Sequence, residues 1–214
     1  MARRRSTRDL ARLVGHRQPR ELILVVTEGA KTEPLYFKLL KRELRAANVE
    51  VQVSHSTDGS DPLSVVRYAI DAVQRNRSID ECYCIIDRDE HTTFDEAVRM
   101  AQDYGSGSRR RKLKLIVSDP CFEYWLLLHY KMTCAPIKRE GVRSPGDCAS
   151  RLLKEYVPAY DKADVNIIAT FLPLTDVALR NADLVAQSHT ETGASDPRTD
   201  VQTVVRRFRE YTRS

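Results

Sequence analysis

The sequence predicts an α/β fold, a mostly parallel central sheet with helices on both faces, followed by a helical carboxyl-terminal extension. Three observations predict it. Short apolar, β-branched runs alternate with amphipathic helical patterns four times between residues 22 and 130. The links between successive runs are long enough for right-handed crossovers, which parallel neighbours need. Beyond Tyr130 the strand signals fade and helical periodicity takes over.

Each element has its own signal. Leu22–Val26 is a short apolar run bounded by polar residues and reads as a buried strand. Glu28 follows at its carboxyl end, and Gly29 lets the chain turn. Thr32, Glu33 and Pro34 mark a helix start: a capping hydroxyl, an acid near the positive dipole end, and proline in the first turn. That helix is expected over Thr32–Ala47, with Leu35, Tyr36, Leu39, Leu40 and Leu44 near helical spacing. Val49–Val53 alternates valine with polar residues as a strand does, and His55–Gly59 is a polar loop. Asp61-Pro62 caps a second helix reaching about Arg75, with Leu63, Val66, Ile70 and Val73 facing inward.

Glu81–Ile86 is a strand that runs straight into Asp87-Arg88-Asp89-Glu90-His91. A helix is expected over Thr93–Tyr104, then a turn at Gly105–Ser108 and a strand at Leu113–Val117. Ser118-Asp119-Pro120 leads into a helix over Cys121–Tyr130. Lys131–Gly146 is an irregular basic insert. Helical patterns follow at Cys148–Tyr156, at Asp164–Ser188 with a break near Pro173, and at Val201–Tyr211. Thr190–Pro197 is a polar loop, and Asp196–Thr199 reads as a loop that caps the last helix, with a lid as the alternative. The expected organisation is a basic arm (1–20), an α/β core (21–130) and a helical extension packed on it (131–214).

Composition narrows the class. With 214 residues, 42% of them hydrophobic, the chain can bury one ordinary core. No apolar run approaches the ~20 residues needed to span a bilayer, so no membrane partner is expected. The arginine-rich start lacks an apolar segment, so it does not read as a secretory signal. Of the five cysteines, Cys82 and Cys84 alternate along a strand, and Cys121, Cys134 and Cys148 are too scattered for a zinc pattern. Reduced thiols in a cytoplasm fit that usage. Net charge is +5, yet residues 1–20 alone carry +6 from seven arginines against Asp9. The cationic character therefore belongs to the arm, including Arg3, Arg4 and Arg5, which suits a phosphate backbone or an acidic partner. A solvated tail explains the same charge.

The chemistry concentrates in acids at strand ends. Asp87 and Asp89 flank Arg88 just past an apolar strand, and Glu28 ends another strand of the same expected sheet. If those strands are neighbours, the three carboxylates meet at one edge, where open α/β sheets bind ligands. Hard cations such as Mg²⁺ or Mn²⁺ take carboxylate oxygens, and such a site can act on a phosphodiester. Taken singly, Glu28 also reads as a loop carboxylate and Asp-x-Asp as a helix cap.

Four ordered blocks resemble one family. Glu28-Gly29-Ala30-Lys31-Thr32-Glu33-Pro34-Leu35-Tyr36-Phe37 is similar to the opening signature of the RloB-like family, and Asp87-Arg88-Asp89 to its acidic pair. Ser118-Asp119-Pro120-Cys121-Phe122-Glu123-Tyr124-Trp125-Leu126-Leu127-Leu128-His129-Tyr130 resembles its third block. Asp196-Pro197-Arg198-Thr199-Asp200-Val201 is similar to the closing Asn-Pro-x-Thr-x-Val block. The chain departs at Asp119 and Asp196, where asparagine is expected, adding a charge at each. The resemblance implies a Toprim-like core and a Mg²⁺-dependent nuclease-like site using Glu28, Asp87 and Asp89. It also implies a bacterial restriction or phage-defence setting, with RNA (a tRNA among the candidates) or DNA as substrate. A defence-system partner subunit and self-association are both compatible with it.

Other residues carry two readings. Lys31 can steady a phosphate or be an exposed lysine. Glu123, in a first helical turn, can be a further ligand or orienter, or simply meet the helix dipole. His129 can be a general base or phosphate contact, or a satisfied histidine at a helix end. Arg88 can pair with either acid or stabilise transition-state charge, and His91 can serve as base or solvate its loop. Arg109, Arg110 and Arg111, with Lys112 and Lys114, form a cationic track or a soluble ramp into a strand. The sequence thus supports a metal-dependent nuclease, a non-catalytic nucleic-acid- or partner-binding module, or phosphoryl transfer on a small nucleotide. No P-loop pattern supports an ATPase.

Overall fold

A computed structural model describes residues 21–46, 49–53, 61–89, 91–106 and 113–210. The arm with Arg3, Arg4 and Arg5, and the run Arg109, Arg110 and Arg111, lie outside the described residues. The chain folds in the order β1 (Leu22–Thr27), α1 (Thr32–Glu43), β2 (Val49–Val53), α2 (Pro62–Arg75), β3 (Ile79–Asp87), α3 (Phe94–Ser106) and β4 (Leu113–Asp119). Then come α4 (Phe122–Leu127), α5 (Pro145–Lys154), α6 (Val165–Ala169), a 3₁₀ turn (Leu172–Leu174), α7 (Thr175–Thr192), β5 (Arg198–Thr199) and α8 (Val201–Glu210). The five strands stand in the order β2-β1-β3-β4-β5, the first four mutually parallel and β5 antiparallel to β4. This is the expected α/β architecture.

Strand alternation divides the core in two. Ile23, Val25, Tyr83 and Ile85 face a cluster with Tyr36, Phe37, Phe122, Trp125 and Phe208. Leu24, Val26, Cys82, Cys84 and Ile86 face the other cluster, with Val66 and Ala69 of α2 and Ala97 of α3. Successive side chains of a strand point to opposite faces, and a parallel sheet covered on both needs an apolar residue at every position. All five cysteines are unpaired thiols, and burial pushes Cys82 up to about 12.

Differences from the sequence reading have local causes. α1 stops at Glu43 rather than Ala47 because Leu44 caps it and Arg45 takes a φ of 51°. α2 starts where expected, since the Asp61 carboxylate accepts from the backbone N–H of Leu63 and Ser64. α4 spans only Phe122–Leu127, and the long pattern after Asp164 breaks into α6, the 3₁₀ turn with Pro173 and α7. The extension also carries a strand: Arg198 and Thr199 pair with Asp119 and Ser118, so the stretch read as a plain loop joins the sheet. Thr199 Oγ1 still accepts from Val201 N at 3.2 Å, the expected capping role.

The extension shares the core of the sheet. Val201, Val204, Val205 and Phe208 of α8 are fully buried, and the Phe208 ring lies 5.9 Å from that of Phe37. Arg207 reaches Glu21 and Glu81, and buried Asn181 of α7 donates to the Leu128 carbonyl at 2.8 Å. Phe208→Ala is therefore expected to cost about 3–5 kcal/mol in denaturant unfolding, with a single transition. A loss below about 1 kcal/mol would contradict one shared core.

Candidate active site at the carboxyl edge of the sheet

The site grows out of the β1–β3 pairing. Thr27 lies opposite Ile85, and Glu28 N continues the ladder by donating to the Ile85 carbonyl at 3.1 Å. The register brings Glu28 beside Asp87, whose backbone N–H donates to Glu28 Oε2 at 3.1 Å. The other carboxylate oxygen, Oε1, lies 3.1 Å from His91 Nε2. After β3 the chain is held by Arg88 N to the Ser118 carbonyl (2.8 Å) and Asp89 N to the Pro120 carbonyl (2.9 Å). Asp89 has a φ of 21°, and its carboxylate packs so closely on Gly146 that a Cβ there would fall 2.9 Å from Oδ2.

Two further acids close the group. Glu33 folds back from the first turn of α1 to accept from Gly29 N at 3.1 Å. Its carboxylate occupies the space a Cβ on residue 29 would need, at 2.2 Å, so a side chain there would push the Glu33 carboxylate out of this position. Glu123 is buried in the first turn of α4, and one of its oxygens, Oε1, receives both Lys162 Nζ at 2.8 Å and the Tyr160 hydroxyl at 3.1 Å. Tyr160 and Lys162 come from the segment between α5 and α6 and also contact Thr32 Oγ1, at 3.4 Å each.

Crowded negative charge dominates the electrostatics. Burial pushes Glu28 up to about 8, with Glu33, Asp61 and Asp89 adding to the rise against the Asp87 N–H. Burial also drives Asp87 well above the carboxylate range, helped by Glu33, Glu28 and Glu123 and opposed by the Phe122 N–H. Glu33 rises to about 7 through burial and then Glu123, with Lys162 opposing. Removing like charges from water favours their neutral forms unless a cation joins them. Among the described residues, no three His, Cys, Asp or Glu side chains converge as a ready-made metal cage. The fit rests on donor chemistry: the set is rich in hard carboxylate oxygens, and Asp87 Oδ1 is buried without a hydrogen-bond partner among the described residues.

The expected site residues divide. Glu28 and Asp87 are hydrogen-bonded neighbours, and Asp89 and Glu123 act electrostatically on one or other of them. Lys31 is exposed just ahead of α1. Arg88 does not pair with Asp87; it binds Asp119 Oδ2 at 3.0 Å and lies over the Phe94 ring, so the added charge at Asp119 has its partner there. His129 requires correction as a candidate base or phosphate contact. It is 1% exposed among Tyr36, Trp125 and Phe171 rings, and burial lowers it to about 4. Its Nδ1 donates to the Trp125 carbonyl at 3.0 Å, leaving the neutral ring's Nε2 to accept from the Tyr36 hydroxyl at 3.3 Å. In the sequence Glu33 reads only as a helix-start acid, and nothing there assigns Tyr160 or Lys162 a part. Gly29 and Glu33 at a four-residue spacing were the one local signal.

Protonated acids in the fold set a pH dependence. The ordinary value of Glu28 and Glu33 is 4.5, so between there and about 7–8 the metal-free native state holds protons that the unfolded chain has lost. Stability in excess chelator should therefore fall as pH rises from about 5 to 8. Glu28→Gln should flatten that fall and melt above the parent at about pH 8, with little difference near pH 5. A flat parent profile would contradict the electrostatic picture.

No curated protein and no solved structure matches the chain. A family model described as RloB-like protein matches residues 23–208, which contain every acid of the site. That coverage takes in nearly all of the sheet and its extension, and the chain belongs to the RloB-like family.

Proposed function

We propose that this chain is a Mg²⁺- or Mn²⁺-dependent nuclease, hydrolysing phosphodiester bonds of RNA or DNA in the cytoplasm as part of bacterial antiphage defence. The observation that carries the reading is the pairing of Glu28 with Asp87 at the end of two adjacent parallel strands, with Asp87 Oδ1 left open. The described residues contain no helix long and apolar enough to cross a membrane, which is compatible with that compartment. A defence-system partner subunit belongs to the same proposal.

Glu28, Asp87 and Asp89 would hold the cation. When bound, such an ion polarises the phosphate and makes water a usable nucleophile at neutral pH. The chain's own groups do the rest. The Asp87 N–H and the His91 ring each engage a different Glu28 oxygen and so orient that carboxylate. Lys162 and Tyr160 fix Glu123, and Lys162 keeps an ammonium, 57% exposed, within the acidic group. Lys31 stands exposed just beyond the Glu28-Gly29 turn and would steady a phosphate.

A non-catalytic nucleic-acid- or partner-binding module is the second reading. The observation that favours it is the lack, among the described residues, of three side chains already converging on one point.

Asp87→Asn separates the two. It should bring divalent-dependent cleavage of tRNA or single-stranded DNA to background, and His91→Ala should reduce it by about 10–100-fold. Because Asp87 is held among like charges, Asp87→Asn should also melt no lower than the parent in chelator. Cleavage that persists in the variant, or in excess chelator, would overturn the nuclease reading.

A further inference from the structure

α1 and its flanks present Lys31, Lys38, Lys41, Arg42 and Arg45. Lys38, Lys41 and Arg42, at offsets of three and four, share one side of α1, and Lys31 and Arg45 flank its two ends. None of the five forms an ion pair with another described residue. Arg67, Arg75, Arg88, Arg151, Arg206 and Arg207, in contrast, each have a carboxylate partner. On α1 itself Glu33 is buried, and exposed Glu43 stands about 100° round the helix from Arg42.

The cations border two grooves that share Lys38. Lys38, Lys41, Arg42 and Arg45 line one of about 520 Å³. Lys38 also borders the second, of about 250 Å³, with Lys31, Pro34 and Ala163. The second groove is lined by Ala30 and Lys31, immediately after Glu28-Gly29 in the chain, and by Ala163, which adjoins Lys162. A row of uncompensated positive charge therefore runs up to the acidic site.

We propose that this face of α1 is a phosphate track, holding the backbone of a nucleic acid and delivering one of its phosphodiesters to Glu28 and Asp87. The end point of the track rests on the nuclease reading; the track itself rests on the unpaired charge. An acidic centre repels a polyanion, so an adjoining cationic surface is what brings one to it. α1 itself is about 18 Å long at helical rise, roughly five backbone steps at 3.4 Å each, with Lys31 and Arg45 just beyond its ends. An acidic protein would meet the same charge, but the continuity with a site suited to phosphodiesters favours nucleic acid.

The test is a salt titration of binding in excess chelator, using the full-length protein and labelled single-stranded RNA and duplex DNA. Five phosphate contacts correspond to a log–log slope of about −3.5 to −4.5. Lys38→Ser/Lys41→Ser/Arg42→Ser should make that slope shallower by about 2–3 and weaken binding at low salt at least tenfold, with an unchanged melting temperature. The equally basic control Lys131→Ser/Lys138→Ser/Lys154→Ser on the extension should bind as the parent does. Unchanged slope and affinity in the α1 variant, an equal loss in the control, or no binding by the parent would overturn the track. So would labelled polyglutamate binding as tightly as the oligonucleotide, which would assign the face to an acidic protein. Because binding is read without turnover, loss in the α1 variant beside a parent that never cleaves upholds the track and removes only the nuclease reading.

Discussion

One short contact organises this molecule: the Asp87 backbone N–H on the Glu28 carboxylate across the β1–β3 joint. It exists because two parallel strands pair in register, so residues 59 apart in sequence end side by side. Everything acidic in the site is arranged about it. The Glu33 carboxylate fills the space beside Gly29, and His91 reaches back to the remaining Glu28 oxygen. The Phe122 N–H, at the start of α4, opposes the charging penalty at Asp87.

A metal-free fold carries a burden in this arrangement. Buried carboxylates repel one another, and Lys162 brings an ammonium into an ion pair with one of them, Glu123. The core offsets that burden: both faces of the sheet are covered, and α8 returns from the end of the chain to close one of them with Phe208. A rigid, double-sided sheet lets strand ends hold groups that would otherwise move apart. Strain concentrated at one edge and paid by packing elsewhere is common at working sites.

Much of this was legible in the sequence because the signals are local. The runs Leu22–Val26 and Glu81–Ile86 carry their own apolar strand signals, though β3 begins two residues earlier, at Ile79, and Asp61-Pro62 announces a helix start through its own side chain. The positions of Glu28, Asp87 and Asp89 at strand ends were readable because each closes or follows an apolar run. What escaped depends on long-range contact. Lys162 and Tyr160 meet Glu123 from beyond α5, with no spacing to advertise it, and β5 is two residues long with its pairing set by β4. His129 reads ambiguously because a histidine among aromatics looks the same whether its surroundings are core or cleft; only the rings packed on it decide.

The central claim is that the Glu28–Asp87 pair is held ready for a divalent cation. Titrating Mn²⁺ into the metal-free protein at about pH 7, in two buffers of different ionisation enthalpy, tests it most directly. The account predicts saturable binding that releases about one proton or more per ion, because Glu28 with its raised value must ionise to ligate. It also predicts that Glu28→Gln and Asp87→Asn each weaken this binding. Binding without proton release, or binding by either variant as tight as the parent's, would contradict the account.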